Sequence, residues 1–184
     1  MAMDREPPII RPSREADIEA ITAIYGHHVM HGVASFEEAP PPADEIARRR
    51  GAVLAHGLPY LVAERANATA GGRVVGYCYA GPFRPRVGYR YTLEDSVYVA
   101  PDEVGRGIGR RLLDAVLARC AELGYRQMVA VIGGSETIAS IRLHERLGFA
   151  HVGSLPQVGF KFGRWIDIVM MQRALGPGAA TLPE

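Results

Sequence analysis

The chain has 184 residues, 48% of them hydrophobic and 22% charged, with a formal net charge of +1. That is one ordinary globular domain with material for a sizeable core, and its balanced charge argues against a general nucleic-acid binder or a membrane-surface protein. The longest apolar runs are far too short to span a bilayer, and the opening MAMDREPPII has no apolar signal core, so a cytoplasmic protein is expected. Cys78 and Cys120 form neither a disulfide framework nor a C-x-x-C pair; both sit in apolar periodic segments and read as small core residues, which fits a reducing compartment.

IIRP, from Ile9 to Pro12, reads as a first strand. From Glu15 to about Val29, Ile18, Ile21, Ile24 and Tyr25 recur at helical spacing. The prolines of HGVASFEEAPPP forbid regular structure, and a second helix is predicted from Asp44, its expected cap, to His56. YLVAER and RVVGYCYA read as strands flanking NATAGG, a hairpin-like connection. GPFRPRVGYRY is a loop rich in arginine and aromatics, and TLEDSVYV is the next strand. After the glycines that follow, Ile108, Leu112, Leu113, Val116, Leu117 and Cys120 mark a helix that ends at Gly124. QMVAVIG is apolar enough for a strand buried on both faces. IASIRLHERLGF reads as a short helix closed by Gly148, and two strands are expected around FAHVGSL and WIDIVMMQRAL. A single domain over residues 1–175 is expected, and GPGAATLPE reads as a loose tail over 176–184.

The stretch VYVAPDEVGRGIGRRLLD carries the strongest chemical signal. Its Gly105, Gly107 and Gly109 lead from a strand into a helix. A dinucleotide fingerprint is incomplete because Arg110 stands where a third glycine belongs, and a P-loop lacks its Lys-Ser/Thr. A flexible turn remains an alternative. Against it, the amides of residues 105–110 open a helix with a positive dipole behind them, and missing Cβ atoms admit a pyrophosphate. Arg106, Arg110 and Arg111 add positive charge.

The segment resembles the acetyl-CoA-binding element of the GNAT N-acetyltransferases, Q/R-x-x-G-x-G/A after a strand, with Val104 at the first position. ASIRLHERLGF resembles that family's later helix. YAGPFRPRVGYRYTLEDSVYV, MVAVIG, LHERLGF and VGFKFGRWIDIVMMQ together resemble its phosphinothricin and methionine sulfone/sulfoximine acetyltransferase branch, over roughly residues 9 to 173. The resemblance implies an α/β GNAT fold: a mixed, mainly antiparallel sheet flanked by helices, with a splayed strand pair forming the acetyl-CoA cleft. It further implies a homodimer, a small-molecule amine as substrate and resistance to toxic amino-acid analogues; no metal, nucleic-acid or membrane partner is expected.

The resemblance also implies a set of site residues. Val97, Tyr98 and Val99 would pair by backbone with the pantetheine arm, the plain alternative being sheet core. Gly105, Arg106, Gly107, Ile108, Gly109 and Arg110 would hold the pyrophosphate, with Arg146 also on the cofactor. Glu94 lies on the opposite strand face from Asp95. The branch carries Glu there as general base; otherwise it would be a surface ion pair with Arg84 or Arg90. His144 stands where many of these enzymes place a thiolate-protonating tyrosine, and a structural histidine is its alternative. Thr137 replaces the usual Asn that meets substrate or pantetheine. Arg84, Arg86 and Arg90, with Val87, Gly88 and Tyr89 between them, would read substrate anions, and Phe36 and Tyr89 would wall an apolar side chain.

His27 and His31 in HHVMH are spaced like zinc ligands, yet no glutamate or third ligand accompanies them. No G-x-S-x-G is present, so direct attack by the amine is expected over an acyl-enzyme. A protein N-terminal acetyltransferase and a non-catalytic acyl-CoA-binding regulatory module are the alternative functions.

Overall fold

The structure, a computed structural model, describes residues 6–66 and 72–183. One seven-stranded sheet runs through it in the order β1-β2-β3-β4-β5-β7-β6. The strands are β1 (Ile9–Pro12), β2 (Tyr60–Arg65), β3 (Arg73–Pro82), β4 (Thr92–Val99), β5 (Gln127–Gly133), β6 (Ala150–Lys161) and β7 (Arg164–Ala174). All neighbours pair antiparallel except β4 and β5, which run parallel. The expected mixed, mainly antiparallel sheet is what the chain forms. The connection 67–72 lies outside the described residues but for Gly72.

Helices α1 (Ile18–His31), α2 (Ala43–Ala55), α3 (Ile108–Glu122) and α4 (Ile138–Arg146) cover the sheet. On one face α3 buries Ile108, Leu112, Leu113, Val116, Leu117 and Cys120 with Val75, Leu93 and Met128, as its periodicity predicted. On the other, Ile21, Ile24, Tyr25 and Val29 of α1 pack with Val62, Tyr77 and Tyr98. Along β4 the alternation therefore sorts Leu93, Asp95, Val97 and Val99 toward the α3 side, and Glu94, Ser96 and Tyr98 toward the α1 side.

Several boundaries differ from expectation. The first helix is preceded by a 3-10 turn at Glu15–Asp17, where Arg11 and the Arg14 amide bind the Asp17 carboxylate. The second helix starts at Ala43 with Pro42 in the capping place, not Asp44. The prolines hold the chain extended up to that point, and Asp44 instead sits in the first turn, where its charge suits the dipole. β6 reaches Lys161, well beyond FAHVGSL, with an irregularity between Leu155 and Gly159. There Gln157 takes a left-handed φ of 56° and its amide donates to Asp167 Oδ1 at 2.8 Å. The segment after β7, read as a loose tail, receives hydrogen bonds from Arg126 at Gly178 O, Thr181 Oγ1 and Leu182 O.

Candidate active site

β4 and β5 pair only at Thr92–Gln127, Leu93–Met128 and Glu94–Val129. Beyond Glu94 the strands part, and a cleft of about 800 Å³ opens between them. The parting has a visible consequence on β5: Val131, expected to be buried on both faces, is 37% exposed and lines the cleft.

The hydrogen-bonding phase of β4 decides which main-chain groups face that opening. The Ala100 amide donates to Val75 O, so Ala100, Tyr98 and Ser96 turn their peptide groups toward β3. Val97 and Val99 then turn theirs toward the gap. Tyr98, expected beside them as a backbone contact, pairs with Tyr77 instead and buries its ring against Tyr25, Tyr77 and His28. One of the gap-facing groups is already engaged: His28 Nε2 donates to Val99 O at 2.8 Å. Burial lowers the His28 pKa, so the ring is a neutral donor with its proton on Nε2.

The glycine loop closes one end of the cleft. Gly105 and Gly107 have φ values of 82° and 75°, which residues with a Cβ rarely adopt, and the space beside each is open. Gly107 caps α3, and the first intrahelical bond runs from Arg111 N to Gly107 O. The amides of Ile108, Gly109 and Arg110 thus have no helical partner. Together with the helix dipole they offer donors of the kind that suits an anion. Beside them Glu103 is buried and accepts from Nε and Nη2 of Arg65 at 2.9 and 2.8 Å, with Arg106 at 3.5 Å. That pairing holds the Glu103 pKa below its ordinary value. Sequence reasoning passed over Glu103; its partner Arg65 is 38 positions away.

Glu94 is half-buried on the cleft wall. Burial raises its pKa and the neighbouring Asp95 raises it further, while Arg84 pulls it down. A carboxylate so placed is a stronger base than an exposed one. His144 of α4 is buried, with Nδ1 at 2.7 Å from Ser140 O and Nε2 at 3.1 Å from Asp95 Oδ2. Both ring nitrogens are therefore engaged within the protein, and the ring delivers a proton to a ligand only by releasing one partner. Sequence reasoning passed over Asp95, although a carboxylate between Leu93 and Val97 on an otherwise apolar strand face was a signal for it.

The Thr137 hydroxyl donates to Gly133 O at 2.7 Å, tying the start of α4 to the end of β5, and the residue lines the cleft. Arg110 and Arg146 also line the cleft, as does Phe36. The loop 84–90 is not brought in. Arg84, Arg86, Val87, Gly88, Tyr89 and Arg90 are all exposed, and none lines the cleft within this chain. Arg84 lies over Phe83, Tyr89 packs edge-on against that same ring, and Arg90 lies over Tyr91. His27 and His31 are neighbours, with ring centroids 4.7 Å apart. Among the described residues no group of three or more His, Cys, Asp or Glu side chains could hold a metal ion.

A parallel strand pair that parts after three positions, with an open helix start at one end of the gap, is the framework that this chain shares with its structural relatives. The chain belongs to the acetyltransferase (GNAT) family, whose pattern matches residues 26–149. It is 54% identical, over 95% of its length and 86% of the relative's, to a phosphinothricin N-acetyltransferase of Alcaligenes faecalis. It is 42% identical, over 93% of its length and 96% of the relative's, to an L-methionine sulfoximine/L-methionine sulfone acetyltransferase of Salmonella typhimurium. The crystal structure of a GNAT superfamily phosphinothricin acetyltransferase from Sinorhizobium meliloti, in complex with acetyl-CoA, superposes with a TM-score of 0.90 at 45% identity. That match covers 96% of this chain and 93% of the other. The chain is an N-acetyltransferase.

Proposed function

We propose that the chain, as a single catalytic domain over residues 1–175, transfers acetyl from acetyl-CoA to the free amine of a small amino acid or analogue. Phosphinothricin, methionine sulfone and methionine sulfoximine are the leading candidates. The observation that carries the reading is Glu94: a half-buried carboxylate with a raised pKa, on the cleft wall where β4 leaves β5.

Acetyl-CoA fits the residues present. The open amides of residues 108–110 and the space beside Gly105 and Gly107 suit a pyrophosphate. Main-chain groups of Val97 and Val99 suit an extended pantetheine arm, with one amide toward the thioester oxygen. Arg110 and Arg146 supply positive charge, and Thr137 a hydroxyl. Bound there, acetyl-CoA supplies an activated acetyl group. Glu94 takes the proton of the substrate ammonium, directly or through water, and the free amine attacks. The same cleft holds both reactants in one orientation. His144 protonates the departing thiolate by exchanging its Asp95 contact for the sulfur. Phe36 walls the amine pocket, and Arg84, exposed in its loop but near enough for its charge to be felt at Glu94, turns inward to pair with the substrate's anionic group. Arg86 and Arg90, with Tyr89, form the outer part of that loop.

A homodimer belongs to the same reading. Val152, Leu155, Val158, Phe160, Phe162 and Trp165 stand between 47% and 62% exposed on β6, β7 and their turn. Such a patch on an edge strand supports packing against a second copy. Cys78 and Cys120 are free and buried, which supports a reducing, cytoplasmic setting.

The test is a panel of free amines with acetyl-CoA, following thiol release: the three analogues, plain amino acids and short peptides. Turnover of the analogues is expected. Activity on peptides alone rejects the reading in favour of protein N-terminal acetylation, and acetyl-CoA binding without turnover favours a regulatory module.

A further inference from the structure

Lys161 ends β6 at the tip of the β6–β7 hairpin, and only 1% of it is exposed. A buried ammonium needs acceptors. It finds three main-chain carbonyls: Val29 O at 2.7 Å, Gly32 O at 2.9 Å and Ser35 O at 2.7 Å. The first two belong to the end of α1, whose dipole is negative there. The third lies in the loop that follows. All three Lys161 donors are thus spent on one segment, residues 29–35.

That segment is the cleft wall. Val33, Ala34, Ser35 and Phe36 line the opening. They follow α1, which packs on the sheet face from which Glu94 projects, so they lie on the amine side. Two glycines are shaped to receive the loop. A Cβ on Gly133 would collide with Val33 O, and a Cβ on Gly159 would come within 2.6 Å of the Phe36 ring. A hydroxyl contact supports the same segment: Tyr25 Oη lies 2.8 Å from Ser35 Oγ.

We propose that Lys161 is a positioning residue for the amine substrate: by drawing the carbonyls of residues 29, 32 and 35 together it sets the Phe36 wall and so the range of amines accepted. The proposal rests on the amine-acetylation reading above and names a determinant of its specificity. Lys161 touches neither the phosphate loop nor the Val97–Val99 strand, so its effect falls on the amine and not on acetyl-CoA.

The experiment compares wild type with Lys161→Met, which keeps length and removes the donors, and with Gly159→Ala, which pushes Phe36 without altering the buried charge. Acetyl-CoA Kd is measured by calorimetry, and kcat and KM are measured for each amine of the panel. The expected result for either variant is an amine KM raised about tenfold or more, a narrowed preference among the panel, and acetyl-CoA Kd within twofold of wild type. If Lys161→Met does not fold, Lys161→Gln, which keeps a shorter polar donor in the same place, tests Lys161 in its stead, and Gly159→Ala tests the Phe36 wall. Folded variants with wild-type amine KM and preference overturn the proposal. So does a parallel loss of acetyl-CoA affinity, which marks a general structural role. A wild type that turns over no amine overturns the substrate reading itself and the Lys161 proposal with it; active wild type beside unchanged variants overturns Lys161 alone.

Discussion

His144 Nε2 lies 3.1 Å from Asp95 Oδ2, and both side chains are almost wholly shielded from water. The contact joins α4 to β4 across the base of the cleft. Burial works against a charged imidazole here, but the Asp95 hydrogen bond and charge, with the Ser140 carbonyl, outweigh it and raise the His144 pKa. A group whose folded pKa is raised stabilises fully below its ordinary value, 6.5 for this imidazole, and that stability is lost as pH rises through the folded value. His144→Gln is expected to cost roughly 3–5 kcal/mol at pH 6, as for one partner removed from a buried pair. The gap between variant and wild type should narrow toward pH 9. Urea midpoints at pH 6, 7.5 and 9 check the direction; a gap that widens with pH contradicts the pair's protonated state.

Glu94→Gln keeps size and hydrogen bonding but removes the proposed base. It should lower kcat by about a hundredfold or more, with acetyl-CoA affinity unchanged. Because burial holds the Glu94 pKa above the ordinary 4.5, the acid limb of wild-type kcat/KM should also lie above that value. A pH profile of both enzymes reads the two effects together.

Gly107→Val forces a β-branched residue into a φ of 75° and fills the open side of the proposed anion site. Acetyl-CoA Kd should rise at least tenfold in a protein of normal secondary structure. An unchanged Kd removes the loop from pyrophosphate binding.

Trp165→Glu places a charge in the exposed patch of β6 and β7. Light scattering is expected to give twice the chain mass for wild type and an increased monomer fraction for the variant. A monomeric wild type at assay concentration removes the dimer from the reading.

Much of this architecture was legible because local pattern and tertiary role coincide. The glycines opening α3 mark a helix start with open amides in their own spacing, and the alternation along TLEDSVYV separates Glu94 from Asp95 without any coordinates. The alternation also marks Asp95, since its face otherwise carries Leu93, Val97 and Val99, but a carboxylate there has no meaning until α4 supplies His144 from 49 positions away. Lys161 was invisible for the same reason, its carbonyl partners lying 126 to 132 positions distant. β6 was underestimated because an edge strand exposed on both faces has no burial period, and Pro156 and Gly159 read as breakers. Arginines at 84, 86 and 90 carry the chemistry of anion recognition, but charge alone does not say where an exposed loop folds.

The parting of β4 and β5 after three paired positions divides the sheet into two plates, β1–β4 and β5–β7–β6, held along one short seam. A ligand lying in the gap splices them. Its binding energy then adds directly to the cohesion between plates, about 2.7 kcal/mol at a hundred times Kd. Slow amide exchange should therefore spread along Val97, Val99 and the outer half of β5 when acetyl-CoA is added, while the outer strands β1 and β2 stay as they were. In such a molecule the cosubstrate is a structural member, and depletion of acetyl-CoA would leave the enzyme both idle and easier to unfold.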